Sequence, residues 1–254
     1  MYSIKKHLVV VLFLFILAGQ AALAQLSAVT DKGGRFSKRI EYNFFTRGIP
    51  VGTYNFNSKT DVEKLFFGDC NAMVEFFIMP SFEGAYGFRI VQDSLDNYIL
   101  EKKRISNWKE VSKELSEEFP SKGVPADKIS TITKEESDEY RKHNQEMWQK
   151  QREKSLKRYE IATQSVPIRD EFAEKLYHTV TTAIDGFVGK GIPPLITDGY
   201  DVTFRCVVES EVWTLTVHVP RGYIAQLTNI CKRMITDMEA GNWDESRYMR
   251  LLDD

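Results

Sequence analysis

The stretch Asp201–Ala240, DVTFRCVVESEVWTLTVHVPRGYIAQLTNICKRMITDMEA, leaves a chain few ways to fold. Val202, Phe204, Cys206 and Val208 alternate with Thr203, Arg205 and Glu209, and Trp213, Leu215, Val217 and Val219 repeat the alternation. This is the period of a half-buried strand. With Ser210-Glu211 as the turn, Val208 faces Trp213, Cys206 faces Leu215 and Phe204 faces Val217, and every apolar side chain falls on one face. Ile224, Leu227, Cys231, Met234, Ile235 and Met238 then recur at helical spacing, and Gly241 suits the helix end. A hairpin with one apolar face, followed by a helix with one apolar stripe, buries both by packing them together.

The earlier chain carries a similar pattern. Ala72–Met79, Tyr86–Gln92 and Tyr98–Ile105 read as strands, the last two divided by the turn Asp93–Asn97. Ser106 or Asn107 is expected to cap a helix with Trp108, Val111, Leu115 and Phe119 on its buried stripe, stopped by Pro120. Phe88-Arg89-Ile90-Val91 echoes Phe204-Arg205-Cys206-Val207, each within a hairpin followed by a helix. Two similar halves, residues 25–132 and 160–254, are expected; a duplication and a chance echo both remain open.

Between them Thr133-Lys134-Glu135-Glu136 forms a capping box, opening a polar helix that ends near Tyr159. Acids crowd its start and bases its end, as the helix dipole favours. Tyr140, Met147, Trp148 and Leu156 are too sparse for a core helix, so it reads either as a solvated arm or as a partner-binding segment. Glu160–Ile168 reads as a short strand. Asp170 opens a helix burying Phe172, Leu176, Val180, Ala183, Ile184 and Phe187, and a Gly189–Pro194 loop follows. A last short helix spans Trp243–Leu252. Before the first strands, Gln25–Lys38 reads as a loose leader, Arg39–Asn57 as strand pieces broken at Gly48, Pro50 and Gly52, and Asp61 as the cap of a helix over Val62–Phe67. The expected class is α+β, antiparallel meanders packed on helices in two halves joined by the polar helix of residues 133–159.

Residues 1–24 read as a secretory signal peptide. Lys5 and Lys6 precede the apolar run Leu8–Ala18, and Ala22-Leu23-Ala24 supplies the small residues of a cleavage site before Gln25. The run is short of the ~20 apolar residues of a membrane span. Cleavage removes two of the 34 basic residues and none of the 36 acidic ones, leaving about four net negative charges, which disfavours nucleic acid as a partner. The expected location is periplasmic or secreted, with no membrane span after cleavage. Export permits disulfides, but three cysteines (Cys70, Cys206, Cys231) without a C-x-x-C read as core filling.

Chemistry is sparse in the pattern. His143, His178 and His218 are far apart, with no spacing that would gather them on a metal ion. His218 falls on the polar face of its strand and His178 on a helix flank. Gly189-Lys190-Gly191 lacks the rest of a phosphate loop. The carboxylate pairs Asp93/Asp96 and Glu209/Glu211 lie in turns. Gly68-Asp69-Cys70 ahead of Asn107-Trp108 faintly resembles a transglutaminase-type cysteine–histidine arrangement. Ser106 stands where the resemblance needs the histidine base, and Pro80 and Gly84 break the helix expected after the cysteine.

The segments SFEGAYGFRIVQDSLDNYILEKKRISNW and DGYDVTFRCVVESEVWTLTVHVP are similar to exported bacterial proteins that carry no assigned activity. That resemblance implies export and the strand–helix order, and it supplies no catalytic, cofactor-binding or metal-binding residues. The expected function is an exported, non-enzymatic binding protein taking an envelope or extracellular partner. The alternatives are an envelope assembly or structural protein, and a hydrolase using Cys70 or scattered carboxylates.

Overall fold

Strand-period and helix-period stretches take up the elements their patterns dictate. The computed structural model describes residues 43–50, 62, 65, 66, 72–128, 130–187, 198–209 and 211–253. The chain divides into two compact units, residues 1–44 with 188–195 and residues 45–187 with 196–254. Of the first unit Asn43 and Phe44 are described, as the start of a strand. The other described residues belong to the second. The signal segment, the leader, Gly52, Asp61, Cys70 and the Gly189–Pro194 loop lie outside the described residues.

The elements are β1 (Asn43–Pro50), β2 (Val74–Pro80), β3 (Tyr86–Gln92), β4 (Tyr98–Ile105), α1 (Trp108–Glu118), α2 (Lys134–Arg158), β5 (Ile161–Pro167), α3 (Asp170–Asp185), β6 (Tyr200–Val208), β7 (Glu211–His218), α4 (Gly222–Glu239) and α5 (Glu245–Leu251). The class is α+β. The strands form one sheet in the order β1-β7-β6-β2-β3-β4-β5. The pairs β6/β7, β6/β2, β2/β3, β3/β4 and β4/β5 are antiparallel.

One face of the sheet carries the main core. Val74, Phe76 and Ile78 of β2, Tyr86, Phe88 and Ile90 of β3, and Val202, Phe204 and Cys206 of β6 meet the stripes of α3 and α4, closed by Tyr248 of α5. Phe172, Leu176, Val180, Ala183 and Ile184 line α3, and Ile224, Leu227, Cys231, Met234, Ile235 and Met238 line α4, as their spacing dictates. Gly241 ends α4 at φ 70°, a left-handed residue that glycine adopts without Cβ strain. The last helix begins at Glu245, not Trp243, because the Asp244 side chain accepts the Ser246 N–H and caps it there.

The organising hairpin is shifted from its expected register. Cys206 lies opposite Trp213, Phe204 opposite Leu215, Val202 opposite Val217, and Val208 opposite Glu211. The turn starts one residue early because Glu209 takes φ 55°, the positive value that two-residue hairpin turns demand. A shift of two positions keeps every side chain on its face. Trp213, expected on the buried face opposite Val208, is half-buried at the core margin, its indole N–H donating to Glu211 Oε2 at 3.1 Å.

The two halves share this one sheet. β2 of the first pairs with β6 of the second, and β5 pairs with β4. The echoed tetrapeptides take equivalent places on either side of β2. Phe88 and Phe204 both lie opposite Phe76, Arg89 and Arg205 both opposite Glu75, and Ile90 and Cys206 both opposite Val74. The equivalence stops at the helices: α4 joins the core on one face, whereas Trp108 of α1 packs with Phe66, Phe77, Ala85 and Ile105 on the other.

The polar helix α2 does not span between two bodies; it folds back along α1. Its capping box forms as expected, Thr133 Oγ1 accepting from the Glu136 N–H and Glu136 Oε2 from the Thr133 N–H. Asn107 holds the N-cap position of α1, its carbonyl accepting from the Val111 N–H at 3.0 Å, but its side chain makes no cap hydrogen bond. Its side chain instead clasps the far end of α2, donating to Arg158 O and accepting from the Glu160 N–H, both at 2.9 Å. Ser106 Oγ likewise turns to Glu160 O.

Candidate functional site

The residues singled out for chemistry are spread over separate elements. His143 on α2 contacts Pro120 O at 3.3 Å, and the His178 ring on α3 lies edge-on to Tyr177. Asp93 is a turn former: its Oδ1 accepts the N–H groups of Leu95 at 2.8 Å and Asn97 at 3.0 Å. Those hydrogen bonds hold its carboxyl below the usual range. Glu211 accepts from Trp213, and Glu209 makes the hairpin turn. No group of His, Cys, Asp and Glu among the described residues is arranged to hold a metal ion. Among the described histidines, His218 has a carboxylate at its ring: its Nδ1 lies 2.8 Å from Asp201 Oδ1 across the β6/β7 pair. A carboxylate at that nitrogen fixes the tautomer and ring orientation of a histidine base.

The second face of the sheet holds a row of charges that the sequence pattern did not single out. Thr214, Arg205, Glu75, Arg89, Glu101 and Ser165 lie opposite one another in turn, strand by strand from β7 to β5. Arg205 bonds Glu75 through both Nε and a terminal nitrogen, and both side chains are 2% exposed. Arg89 Nε reaches Glu101 Oε1 at 2.8 Å, and Lys103 Nζ lies 3.2 Å from the same oxygen and 2.8 Å from Phe66 O. A signal was present. In Val74-Glu75-Phe76-Phe77-Ile78 the apolar residues occupy both parities, so both faces are covered and an embedded carboxylate must be buried and paired.

The α1–α2 arm carries an open, partly apolar surface. Tyr140, Asn144, Met147, Gln151, Ser155 and Arg158 recur at helical spacing on its inner side, where they are buried or half-buried. Most are polar, and they are held by hydrogen bonds. Asn144 accepts from the Lys122 N–H at 2.7 Å and donates to Lys122 O at 2.9 Å. Gln151 donates to Phe119 O, and Arg158 to Glu118. Trp148 stands beside this stripe, 61% exposed, its indole N–H donating to Ser121 Oγ at 3.1 Å. It lines an open groove of about 510 Å³ along α2 with Gln145, Gln149, Arg152, Glu153 and Leu156. A second groove of the same size, between α2, α1 and the sheet end, is bordered by Trp148 and Arg152 with Met79, Leu115 and Tyr159.

Both described cysteines are free thiols inside the core. Burial pushes the Cys206 thiol from 9.0 up to about 12, and Cys231 upward as well. Neither presents a thiolate for catalysis near neutral pH. A raised thiol pKa means the folded chain holds a proton that the unfolded chain releases. The stability contributed is complete below pH 9 and is lost as the pH rises through about 12. Unfolding free energy is therefore expected to decline above pH 9, and Cys206→Val to flatten the decline, as denaturant melts on either side of that pH will read. A wild-type curve unchanged across that interval would contradict the assignment.

No family model, curated protein or solved structure matches the chain.

Proposed function

We propose that the protein is an exported, non-enzymatic binding protein that takes an envelope or extracellular protein on its α1–α2 arm. The observation that carries this is Trp148, whose indole is anchored at one edge by Ser121 and otherwise open between two grooves. Tryptophan and arginine are the residues that dominate protein interfaces, and Trp148 and Arg152 border both grooves. The grooves are open troughs, better matched to a protein surface than to an enclosed small molecule. Lys150, Arg152, Lys154 and Lys157 make this end of α2 basic, which favours an acidic partner surface. The export part of the reading rests on Lys5, Lys6, the Leu8–Ala18 run and Ala22–Ala24.

The test is affinity capture from the native envelope with wild type beside Trp148→Ala. Wild type is expected to retain a partner and Trp148→Ala to lose it, with an unchanged melting temperature because the indole is exposed. Equal capture by both would remove the arm from the contact.

The Asp201–His218 pair favours a second reading, hydrolysis with His218 as base. A hydrolase substrate panel separates the two. Turnover abolished by His218→Ala, with the fold intact by circular dichroism, would replace the binding reading.

A further inference from the structure

The last strand of the sheet, β5, is an open edge. Among the described residues no strand lies beyond it, and Ala162, Thr163 and Ser165 are exposed. The ladder to β4 is bracketed by Ile168 N–H to Tyr98 O at 3.0 Å and Ser106 N–H to Glu160 O at 2.9 Å. With Lys102 opposite Gln164 and the register unbroken from Ile161 to Pro167, the even-numbered residues of β5 turn their amides to β4. Ile161, Thr163 and Ser165 therefore direct N–H and C=O groups outward.

Edges of natural sheets are blunted by charged side chains, bulges, prolines or a covering segment. Residues Ile161–Val166, IATQSV, have no charge, no glycine and no proline, and the register shows no bulge; proline stands only at the end, at 167. Gln164 is tied down on the inner face, donating to Met238 O at 2.8 Å, so the strand is presented in a fixed orientation.

We propose that this edge is a self-association surface, on which a second copy of the chain adds its own β5 antiparallel to the first and continues the sheet across a two-fold axis at Gln164. Whole strand then pairs with whole strand. Thr163 lies opposite Ser165 of the other copy, and Ile161 opposite Pro167. Each outward N–H of Ile161, Thr163 and Ser165 meets a carbonyl; Pro167 accepts from Ile161, and the Ile161 carbonyl, which proline cannot serve with an N–H, stays with water at the rim of the pairing. The pairing sets hydroxyl against hydroxyl and amide against amide, with no like charges opposed. An isologous contact of this kind suits a self-complementary, uncharged edge, and it is independent of the α2 arm.

The experiment is sedimentation of the purified full chain over a concentration series, with amide hydrogen exchange at low and high concentration. Wild type is expected to dimerise reversibly, with Thr163 and Ser165 amides gaining protection as concentration rises while Gln164 stays protected throughout. Ser165→Pro removes an outward N–H that β4 does not use, and Thr163→Lys sets a charge on the edge. Both are expected to weaken dimerisation by at least ~10-fold with unchanged circular dichroism. Trp148→Ala is expected to leave it unchanged, which separates this contact from partner capture by the arm. A chain that stays monomeric at the highest concentration overturns the proposal. So does a dimer insensitive to either edge variant, or protection of these amides only when a foreign extended peptide is added.

Discussion

Glu75→Leu is expected to lower the unfolding free energy by about 3–5 kcal/mol, the cost of breaking a buried ion pair from one side. Glu75 sits between Arg205 and Arg89 on neighbouring strands, and its Oε2 takes two donors from Arg205. With both side chains 2% exposed, solvent cannot replace the lost carboxylate. Arg205 would face leucine in a region it entered only because a counter-charge was there. Arg89 is better placed to tolerate the change, since it keeps Glu101 at 2.8 Å. Replacing both ions tests the argument more sharply. The double variant Glu75→Leu with Arg205→Met is expected to recover most of the loss, because well-packed apolar residues can substitute for a buried pair at little cost. Urea melts of wild type, both singles and the double give the coupling directly. Singles that simply add in the double would mean the two side chains do not act as a pair.

How far the sequence reaches can be seen in the same residues. The strands and the core helices were legible because apolar side chains repeat with periods of two and 3.6, and a buried face must repeat that way. Register was not, because it turned on whether Glu209 would accept a left-handed conformation. Strand order was not legible either: Glu75 and Arg205 meet across 130 residues, and nothing local announces that β2 lies between β3 and β6. The FRIV/FRCV echo was visible, but its meaning, a common register against β2, needed the third strand. α2 misled for a different reason. Its inner stripe repeats at helical spacing, but Asn144, Gln151 and Ser155 carry it, and they pack by bonding backbone groups. A search for apolar periodicity passes over such a face. Of the candidate site, Trp148 was visible in the sequence only as one of four sparse apolar residues on a polar helix, and the groove beside it depends on α1 returning to the same place. The Asp201–His218 pair depends on the hairpin register in the same way.

Phe76→Ala is expected to cost about 3–5 kcal/mol, and the centre of the core stands or falls with it. Phe76 is fully buried on β2, the strand flanked by both echoed strands. Its ring centroid lies 5.3 Å from that of Phe88 and 5.1 Å from that of Phe204, both tilted. Truncation removes both ring contacts, each worth roughly 0.5–1.5 kcal/mol beyond area burial, and leaves a cavity walled by sheet and helix that cannot collapse. Phe88→Ala and Phe204→Ala should each cost a similar amount, since the two rings hold equivalent positions against β2. Trp213 is the useful contrast. It is the larger side chain, but it is half-buried at the core margin with its N–H on Glu211. Water can enter the space it leaves, so Trp213→Ala should cost roughly 1–2 kcal/mol. Denaturant melts of these variants at constant slope rank the positions. If Trp213→Ala proved as costly as Phe76→Ala, the core would be centred on the β6/β7 hairpin, and β2 would be its margin.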